Sequence, residues 1–577
     1  MDYKKVYEHW LNDAYFDEQT KVELTKIKNN EKEIEDRFYK NLEFGTGGLR
    51  GIIGAGTNRV NIYTISKATQ GLSNYILSQK EYTKEKGVAI GYDSRFMSQQ
   101  FAEITALVLN GNGIKTYLFD DLRPTPMVSF AIRELKCIAG VVITASHNPP
   151  EYNGYKIYGQ DGGQVPPPKD SEIISFVNNV KDFKSIKKLE KQQAIECGLF
   201  NIIGKKIDDK FDQNVLSMLI NKDIILKYPD LKIVYTPIHG TGNKPVRRIL
   251  KKAGFKNVYI VKEQEMPDSN FSTVEYPNPE DPNAFKLALK LANDVDADII
   301  VGTDPDADRV GAIVKNKDGQ YVILSGNMIG ILLTEYILNG KKQKGTLCNK
   351  GAVISTVVST NMTEKIAKAY NVDYFNVLTG FKFIGEKIKQ FEQTGCNDFI
   401  FGFEESYGCL AGTYARDKDA VVSTMLICEL ATFYKSQGIT LYEGLQQIYK
   451  KYGYFKEDIR SITLKGIDGI KNIEKIMTYF RTNTPTEIND TKIIEFRDYK
   501  TGEIKNIYND EIKPTNLPKS NVLYFVLDDK SWFCIRPSGT EPKIKVYFGV
   551  EKQTEQEANI TLKNLTNTIM KIIENIN

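Results

Sequence analysis

The segment Gly140-Val141-Val142-Ile143-Thr144-Ala145-Ser146-His147-Asn148-Pro149-Pro150 decides how this chain is read. An apolar run passes into small polar residues, and two prolines then stop it. A short apolar run bounded by turn signals reads as a buried strand. The same grammar continues upstream. Helices are expected over 62–79, 99–110 and 127–135, with strands at Val88-Ala89-Ile90-Gly91-Tyr92, 114–119 and 138–144. Strands alternating with helices argue for parallel sheets in an α/β fold. In open sheets of that kind, ligands gather beyond the carboxyl ends of the strands. Ser146 is therefore a hydroxyl presented at a cleft by a stiff loop. The competing reading is a plain strand-end turn capped by Ser and Asn.

Downstream, a polar, Lys-rich stretch near 180–230 interrupts the pattern, which then restarts. Strands are expected at 231–235, 257–261 and 297–302, with helices over 245–253 and 284–293. A third cycle has helices over 327–338, 362–369 and 383–392 and strands at 352–358, 373–378 and 398–402. The three units are similar in pattern without a residue-level repeat. The tail differs: a strand pair flanks Arg536-Pro537-Ser538-Gly539, and a helix follows over 553–574. Ile560, Leu562, Leu565, Ile569, Ile572 and Ile573 lie on an apolar stripe of that helix. This reads as a separate α+β domain. The predicted division is 1–205, 206–322, 323–450 and 451–577; segments 160–230 and 455–525 suggest no chemistry.

Composition narrows the function class. The chain has 577 residues, enough for three to five domains at roughly 100–200 residues each. It is 41% hydrophobic and 26% charged, with Lys+Arg 77 against Asp+Glu 73. The net charge of +4 gives no global pull toward nucleic acid or a membrane surface. No apolar stretch approaches the ~20 residues that span a bilayer, and the start of the chain lacks the apolar core of a signal peptide. Seven cysteines are scattered without the paired spacing of a zinc site, which fits free thiols in a reducing cytoplasm. Three histidines (His9, His147 and His239) exclude a histidine-rich metal centre.

Four further segments carry chemistry. In Val301-Gly302-Thr303-Asp304-Pro305-Asp306-Ala307-Asp308-Arg309, three carboxylates follow an apolar strand at alternate positions. Alternate side chains of extended backbone share a face, and three like charges on one face repel unless a cation sits between them. Oxygen-only ligands suit Mg²⁺; the competing reading is a solvated acidic turn. In Gly402-Phe403-Glu404-Glu405-Ser406-Tyr407-Gly408, a carboxylate and a hydroxyl two residues apart can hold two sugar hydroxyls. In Cys534-Ile535-Arg536-Pro537-Ser538-Gly539-Thr540-Glu541-Pro542-Lys543, Arg offers a planar fork for phosphate oxygens while Ser, Gly and Thr offer hydroxyls and backbone N–H groups. The alternative there is a hairpin loop with incidental polarity. Gly45-Thr46-Gly47-Gly48-Leu49-Arg50-Gly51 is either a flexible link or a backbone cradle that aims Arg50 at an anion.

Together and in this order, the five segments resemble the α-D-phosphohexomutase family, and within it the bacterial phosphoglucomutase type, over nearly the whole chain. The resemblance implies four domains around a central cleft: three mixed α/β units and a C-terminal α+β domain that binds phosphate. It implies a mutase interconverting α-D-glucose 1-phosphate and glucose 6-phosphate through a phosphoserine enzyme and glucose 1,6-bisphosphate. Ser146 would be the phosphoserine, and Asp304, Asp306 and Asp308 would hold Mg²⁺ with a phosphate oxygen on Ser146. Arg50 and Arg309 would be cleft cations, and Lys156 the proton-transfer lysine, given burial and arginine neighbours that lower its pKa. Thr379, Glu404, Ser406 and Lys418 would contact the sugar; Arg536, Ser538, Gly539 and Thr540 would grip the phosphate that is not reacting. A cytoplasmic monomer or homodimer acting on a small sugar phosphate is implied, without nucleic-acid or membrane partners.

Tyr407-Gly408 lacks the histidine that dual glucose/mannose enzymes often place there, which argues against a mannose preference. A phosphomannomutase or phosphopentomutase remains the alternative within the family. Outside it, the rival is a Mg²⁺-dependent sugar phosphatase with an Asp nucleophile, against which Asp308 and the separate Ser146 segment argue. A serine hydrolase built on Ser146 and His147 is weaker, because adjacent residues align poorly as nucleophile and base. His239, in Thr236-Pro237-Ile238-His239-Gly240-Thr241-Gly242, is read as structural.

Overall fold

The computed structural model describes residues 2–45, 48–463, 466–538 and 543–576. Four main sheets follow one another along the chain. The first has seven strands in the order Phe44–Gly45, Gly48–Ile52, Tyr152–Gly159, Ala139–Ile143, Val88–Tyr92, Thr116–Phe119, Phe200–Ile203. Val88–Tyr92 and Ala139–Ile143 are buried at every position, as their unbroken apolar runs require of strands covered on both faces. The flanking helices also start where local chemistry says they should. Helix Ile62–Ser78 is capped by Asn61, whose side chain accepts from the Tyr63 and Thr64 N–H groups. Helix Thr125–Glu134 carries Pro126 in its first turn, where no intrahelical N–H is lost.

The second sheet runs Tyr321–Leu324, Val310–Lys315, Ile299–Thr303, Lys232–Thr236, Asn257–Ile260, and the third runs Asp373–Val377, Gly351–Thr356, Asp398–Glu404, Gly408–Ala411. Parallel pairs form in all three as the alternation suggests, but none of these sheets is parallel throughout; all three are mixed. In each, one central strand is parallel to the strand on one side and antiparallel to the next strand in sequence on the other. The antiparallel partners Tyr152–Gly159, Val310–Lys315 and Gly408–Ala411 escaped the sequence reading. They are needed because the connections 144–151, 304–309 and 405–407 are too short for a parallel crossover. Those three connections are the ones in which Ser146, the three aspartates and Ser406 were singled out.

The three units are not packed as separate beads. One continuous apolar core runs through all of them. At its centre Phe130 and Phe211 meet edge to face at 5.7 Å, and Tyr414 of the third unit meets Phe211 at 5.7 Å. The fourth sheet is antiparallel throughout, with Tyr454–Thr463, Lys543–Lys552, Trp532–Pro537, Leu523–Leu527 and Thr491–Asp498 as successive neighbours. Helices Gly466–Thr482 and Glu555–Ile576 lie with it over its own core. The α+β tail is therefore as expected in kind but larger than one hairpin, drawing most of its strands from 455–525. Among the described residues no helix is long and apolar enough to cross a membrane.

Three short helices, Tyr3–Asn12, Glu18–Lys26 and Glu31–Phe38, precede the first sheet and pack through an aromatic cluster against Tyr63 at the start of helix Ile62–Ser78 and against Phe183. Trp10 is 1% exposed and stacks on Phe16 at 4.3 Å, with Phe38 and Tyr63 edge-on. Trp10→Ala is expected to destabilise this unit by about 3 kcal/mol or more, seen as a lower midpoint for the first urea transition followed by circular dichroism.

Candidate active site

Ser146 stands three residues beyond the end of strand Ala139–Ile143, in left-handed backbone at φ +52°. That conformation costs a non-glycine residue roughly 1–2 kcal/mol, so the loop must be held from outside. Arg95 holds it. Its guanidinium has no exposed surface and donates to the carbonyls of Ser146, Asn148, Pro149 and Tyr152 at 2.5 to 3.0 Å. Asp93 lies 3.3 Å from Arg95 Nε and accepts from the Arg95 N–H and the Ser98 hydroxyl. Strand Tyr152–Gly159 then runs back beside Ser146 and brings Lys156. Its Gly154 has no room for a Cβ, which would sit 2.6 Å from the Thr144 oxygen and 2.7 Å from the Leu49 oxygen. That closeness draws the Arg50 strand in; Arg50 donates to Asn148 Oδ1 at 2.9 Å.

Across the seam between the first and second units, Ser146 Oγ donates to Asp304 Oδ2 at 2.8 Å. Asp304, Asp306 and Asp308 are all fully enclosed, and each offers an oxygen within 4.8 Å of the others. The loop is wound tightly around Asp304 Oδ1, which accepts from the Asp308 and Arg309 N–H groups at 3.1 and 3.0 Å. Ala307 supplies the necessary left-handed turn at φ +47°. Thr125 of the first unit ties down Asp306 by its hydroxyl at 2.8 Å and its N–H. The third unit reaches in as well: Val310 N–H donates to the Tyr407 carbonyl, and Ala420 N–H to the Ala307 carbonyl.

Three buried carboxylates in contact cannot all ionise without compensation. Burial and the charges on Asp306 and Asp308 push the Asp304 carboxyl well up. Burial opposes ionisation of Asp308 too, but Lys418, Lys156 and Arg309 outweigh it and hold that carboxyl down. Lys156 Nζ lies 2.7 Å from Asp306 Oδ2 and 3.2 Å from Asp308 Oδ2, and Lys418 Nζ lies 2.9 Å from Asp308 Oδ2. The lowered pKa expected for Lys156 does not hold in this arrangement. Burial alone would lower it, but Asp306 and Asp308 raise it. Arg309 pairs with Glu280. Asp306 Oδ1 and Asp308 Oδ1 are buried and accept no hydrogen bond among the described residues. These two oxygens, Asp304 and Ser146 Oγ form the kind of all-oxygen donor set that fits a Mg²⁺ ion.

His147 Nδ1 approaches Ser146 Oγ to 3.2 Å, but the serine hydroxyl donates its proton to Asp304, so the contact does not make His147 the base of a serine hydrolase pair. The left-handed serine makes the approach possible. Burial and the nearby charges of Arg309 and Arg50 push the imidazole well below its ordinary pKa, leaving it neutral.

The third unit presents Glu404 and Ser406 at the end of strand Asp398–Glu404, in a turn where Tyr407 is left-handed at φ +66°. Glu404 accepts from the Gly380 N–H at 2.9 Å, which brings Thr379 beside it. Thr379 Oγ1 is buried without a hydrogen-bond partner among the described residues. Ser406 is partly exposed. The fourth unit contributes Arg536, braced by the Tyr547 hydroxyl at 3.2 Å, and Ser538, whose N–H donates to the Lys543 carbonyl. Gly539 and Thr540 lie outside the described residues.

Arg95, Thr125 and Lys545 were missed. Lys545 pairs directly across the strands from Arg536, and burial pushes its ammonium down even with Glu280 and Glu405 facing it. Arg95 could have been found: Asp93-Ser94-Arg95 follows a buried strand just as Ser146 does.

A serine on one α/β unit meeting an acidic trio on the next, with a buried carboxylate and hydroxyl on the third and cations on the fourth, is the layout of a four-domain phosphotransferase. The descriptions of the four phosphoglucomutase/phosphomannomutase domains match in order: the α/β/α domains I, II and III at residues 41–184, 210–319 and 325–452, and the C-terminal domain at 496–564. The chain belongs to the phosphoglucomutase/phosphomannomutase family and is an enzyme, an isomerase of the phosphoglucomutase kind. It is 40% identical over 524 residues to the phosphoglucomutase of Staphylococcus aureus, covering 90% of this chain and 92% of that one. To the phosphoglucomutase of Staphylococcus epidermidis it is 38% identical over 520 residues, covering 89% and 92%. Among solved structures, the open form of pp63/parafusin, a phosphoglucomutase from Paramecium, matches with a TM-score of 0.67 at 18% identity over 93% of this chain and 95% of that one.

The orphaned carboxylate oxygens lead to a direct test. Mg²⁺ in hundredfold excess over its dissociation constant is expected to stabilise the protein by about 2.7 kcal/mol. The accompanying rise in melting temperature should vanish in Asp306→Asn.

Proposed function

We propose that Ser146 carries a phosphoryl group with which the enzyme interconverts α-D-glucose 1-phosphate and glucose 6-phosphate, by way of glucose 1,6-bisphosphate. The observation that carries this reading is the 2.8 Å contact of Ser146 Oγ with Asp304 Oδ2 across two domains. The names of the staphylococcal relatives support glucose as the sugar.

The bond from phosphorus to Ser146 Oγ breaks as a bond forms from phosphorus to the free sugar hydroxyl, and that hydroxyl gives up its proton. After the bisphosphate has turned end for end, the other phosphoryl group returns to Ser146. Phosphoryl transfer asks the protein chiefly for placement and charge neutralisation. Asp304, Asp306 and Asp308 would hold Mg²⁺ beside Ser146, where it would supply positive charge for the serine oxygen as it leaves. Arg50 and Arg309 balance the phosphate charge from either side. Lys156 would take the hydroxyl proton after giving one of its own to water, a step its pairing with Asp306 and Asp308 opposes in the arrangement described. Thr379, Glu404, Ser406 and Lys418 hold the sugar. Arg536, Ser538, Gly539 and Thr540 grip the non-reacting phosphate, with Lys545 opposite Arg536 as a second cation. All seven cysteines are free thiols, which supports a cytoplasmic location.

Ser146→Ala is expected to abolish the interconversion in a coupled glucose 6-phosphate assay; activity within about tenfold of wild type contradicts the phosphoserine. Charge-assisted hydrogen bonds are worth roughly 1.5–3 kcal/mol, so Arg536→Ala should raise KM about ten- to a hundredfold with a smaller change in kcat.

Burial pushes the Glu404 carboxyl up to about 7 against the pull of Lys418. An acid raised in this way is protonated below that pH and ionised above it. If the carboxylate accepts from the sugar hydroxyls, KM should fall as pH rises through this range. Glu404→Gln should flatten that dependence.

A further inference from the structure

His239 has no part in the chemistry above, yet its surroundings are highly specified. It is buried, and both Ile238 and His239 are left-handed, at φ +44° and +59°. The backbone of this loop lies against the metal-binding loop. Thr241 N–H donates to the Pro305 carbonyl at 2.8 Å, and a Cβ on Gly240 would sit 2.6 Å from Pro305 Cα and 3.0 Å from the Asp304 oxygen. The ring points away from the aspartates. Its Nδ1 meets the Met266 carbonyl at 2.9 Å and its Nε2 meets the Thr273 hydroxyl at 2.8 Å. A carbonyl only accepts, so Nδ1 carries a proton toward Met266, while Nε2 is held by the Thr273 hydroxyl. One imidazole thus pins both ends of segment 266–273.

At the inward tip of that segment is Phe271, fully buried and left-handed at φ +47°. Its ring centroid lies 5.0 Å from the Arg95 guanidinium carbon. Arg95 belongs to the first unit and Phe271 to the second. The guanidinium that holds four carbonyls of the serine loop is therefore faced across the seam by a ring that His239 anchors to the metal-binding loop. The contacts form a closed circuit: Asp304 to the Gly240 backbone, His239 to 266–273, Phe271 to Arg95, Arg95 to Ser146, and Ser146 Oγ back to Asp304 at 2.8 Å.

We infer that His239, Phe271 and Arg95 are a chain of positioning residues that sets the Ser146 loop against the acidic loop across the first domain seam. A desolvated cation beside an aromatic ring is directional, so the chain restrains the angle of the serine loop as well as its distance. The inference rests on the reading of Ser146 as the phosphoryl carrier. None of the three residues is among the proposed sugar or phosphate contacts. Loosening the chain should therefore slow phosphoryl transfer and leave sugar-phosphate affinity intact.

The test measures kcat, KM and melting temperature for Phe271→Leu, Phe271→Tyr, His239→Ala and the Phe271→Leu/His239→Ala double variant. Losing support of this kind typically reduces activity by roughly ten- to a hundredfold. Phe271→Leu is expected to lower kcat by that factor with KM within about twofold of wild type, and ring-keeping Phe271→Tyr to recover most of the loss. The double variant should be no slower than the worse single one, because both cut the same chain. Multiplying losses in the double variant, a KM effect without a kcat effect, or a lowered melting temperature at unchanged kcat would each overturn the inference. Should Phe271→Leu not fold, His239→Ala against wild type decides by the same split between kcat and KM. Ser146→Ala is run in parallel. An active Ser146→Ala enzyme removes the phosphoserine reading, whereas an inactive one beside a normal Phe271→Leu enzyme removes only the chain.

Discussion

Three carboxylates packed within 4.8 Å of one another, with essentially no exposure, are an unfavourable thing to bury. In a medium of low polarity their mutual repulsion is screened far less than in water. The rest of the architecture can be followed from how that repulsion is relieved. Lys156 comes from the first unit, Arg309 from the second and Lys418 from the third, so the acidic loop becomes the place where three domains converge. Compensation remains incomplete: Asp304 is pushed toward its protonated form, and two carboxylate oxygens are left without hydrogen bonds among the described residues. A divalent cation would meet both deficits. The serine hydroxyl lies at the same point because the seam brings it there.

The three α/β units reach this convergence by one device. Each takes the strand at the heart of its sheet, ends it in a short loop, and returns antiparallel to the same strand. Each loop contains one non-glycine residue in left-handed backbone: Ser146, Ala307 and Tyr407. Backbone strain of this sort persists only where its surroundings over-determine it. Here the surroundings are visible, as the Arg95 guanidinium under the serine loop, the N–H groups closed around Asp304, and the Val310 N–H donated to the Tyr407 carbonyl. The loops are thereby rigid mounts, which phosphoryl transfer needs because it depends on placement.

The fourth unit stands in a different relation to the site. Its sheet is its own, with one apolar cluster under its helices and another, built on Trp532, Tyr524 and Tyr547, shared with Val357, Val358 and Leu378 of the third unit, and it contributes cations, Arg536 and Lys545, side by side on neighbouring strands. Like charges opposed across a ladder are destabilising, so this pair makes physical sense only beside an anion. Glu405 and Glu280 partly serve that need in the protein itself. A phosphate on the far end of a sugar would serve it better. The unit follows helix Leu441–Tyr452 after the single residue Gly453, and Lys365 of the third unit reaches it through a 2.7 Å pair with Glu551.

Much was legible in the residues alone because it depends on local rules. Buried parallel strands must be continuous apolar runs, and their carboxyl ends must turn in small, polar or conformationally tolerant residues; hence Ser146, Asp304 and Glu404 could be located, together with helices such as Ile62–Ser78. Side-chain type also declared the chemistry, since acids at alternate positions and an Arg-Pro-Ser-Gly turn have few physical uses. What the residues could not declare were relations between segments far apart in the chain. That Lys156 would be held charged by Asp306, 150 residues away, follows from a domain seam. The same is true of Arg95 lying under Ser146 and of Phe271 facing Arg95. The mixed sheets were missed for a related reason: strand direction is set by which partner a strand finds, and a run of apolar residues reads the same either way.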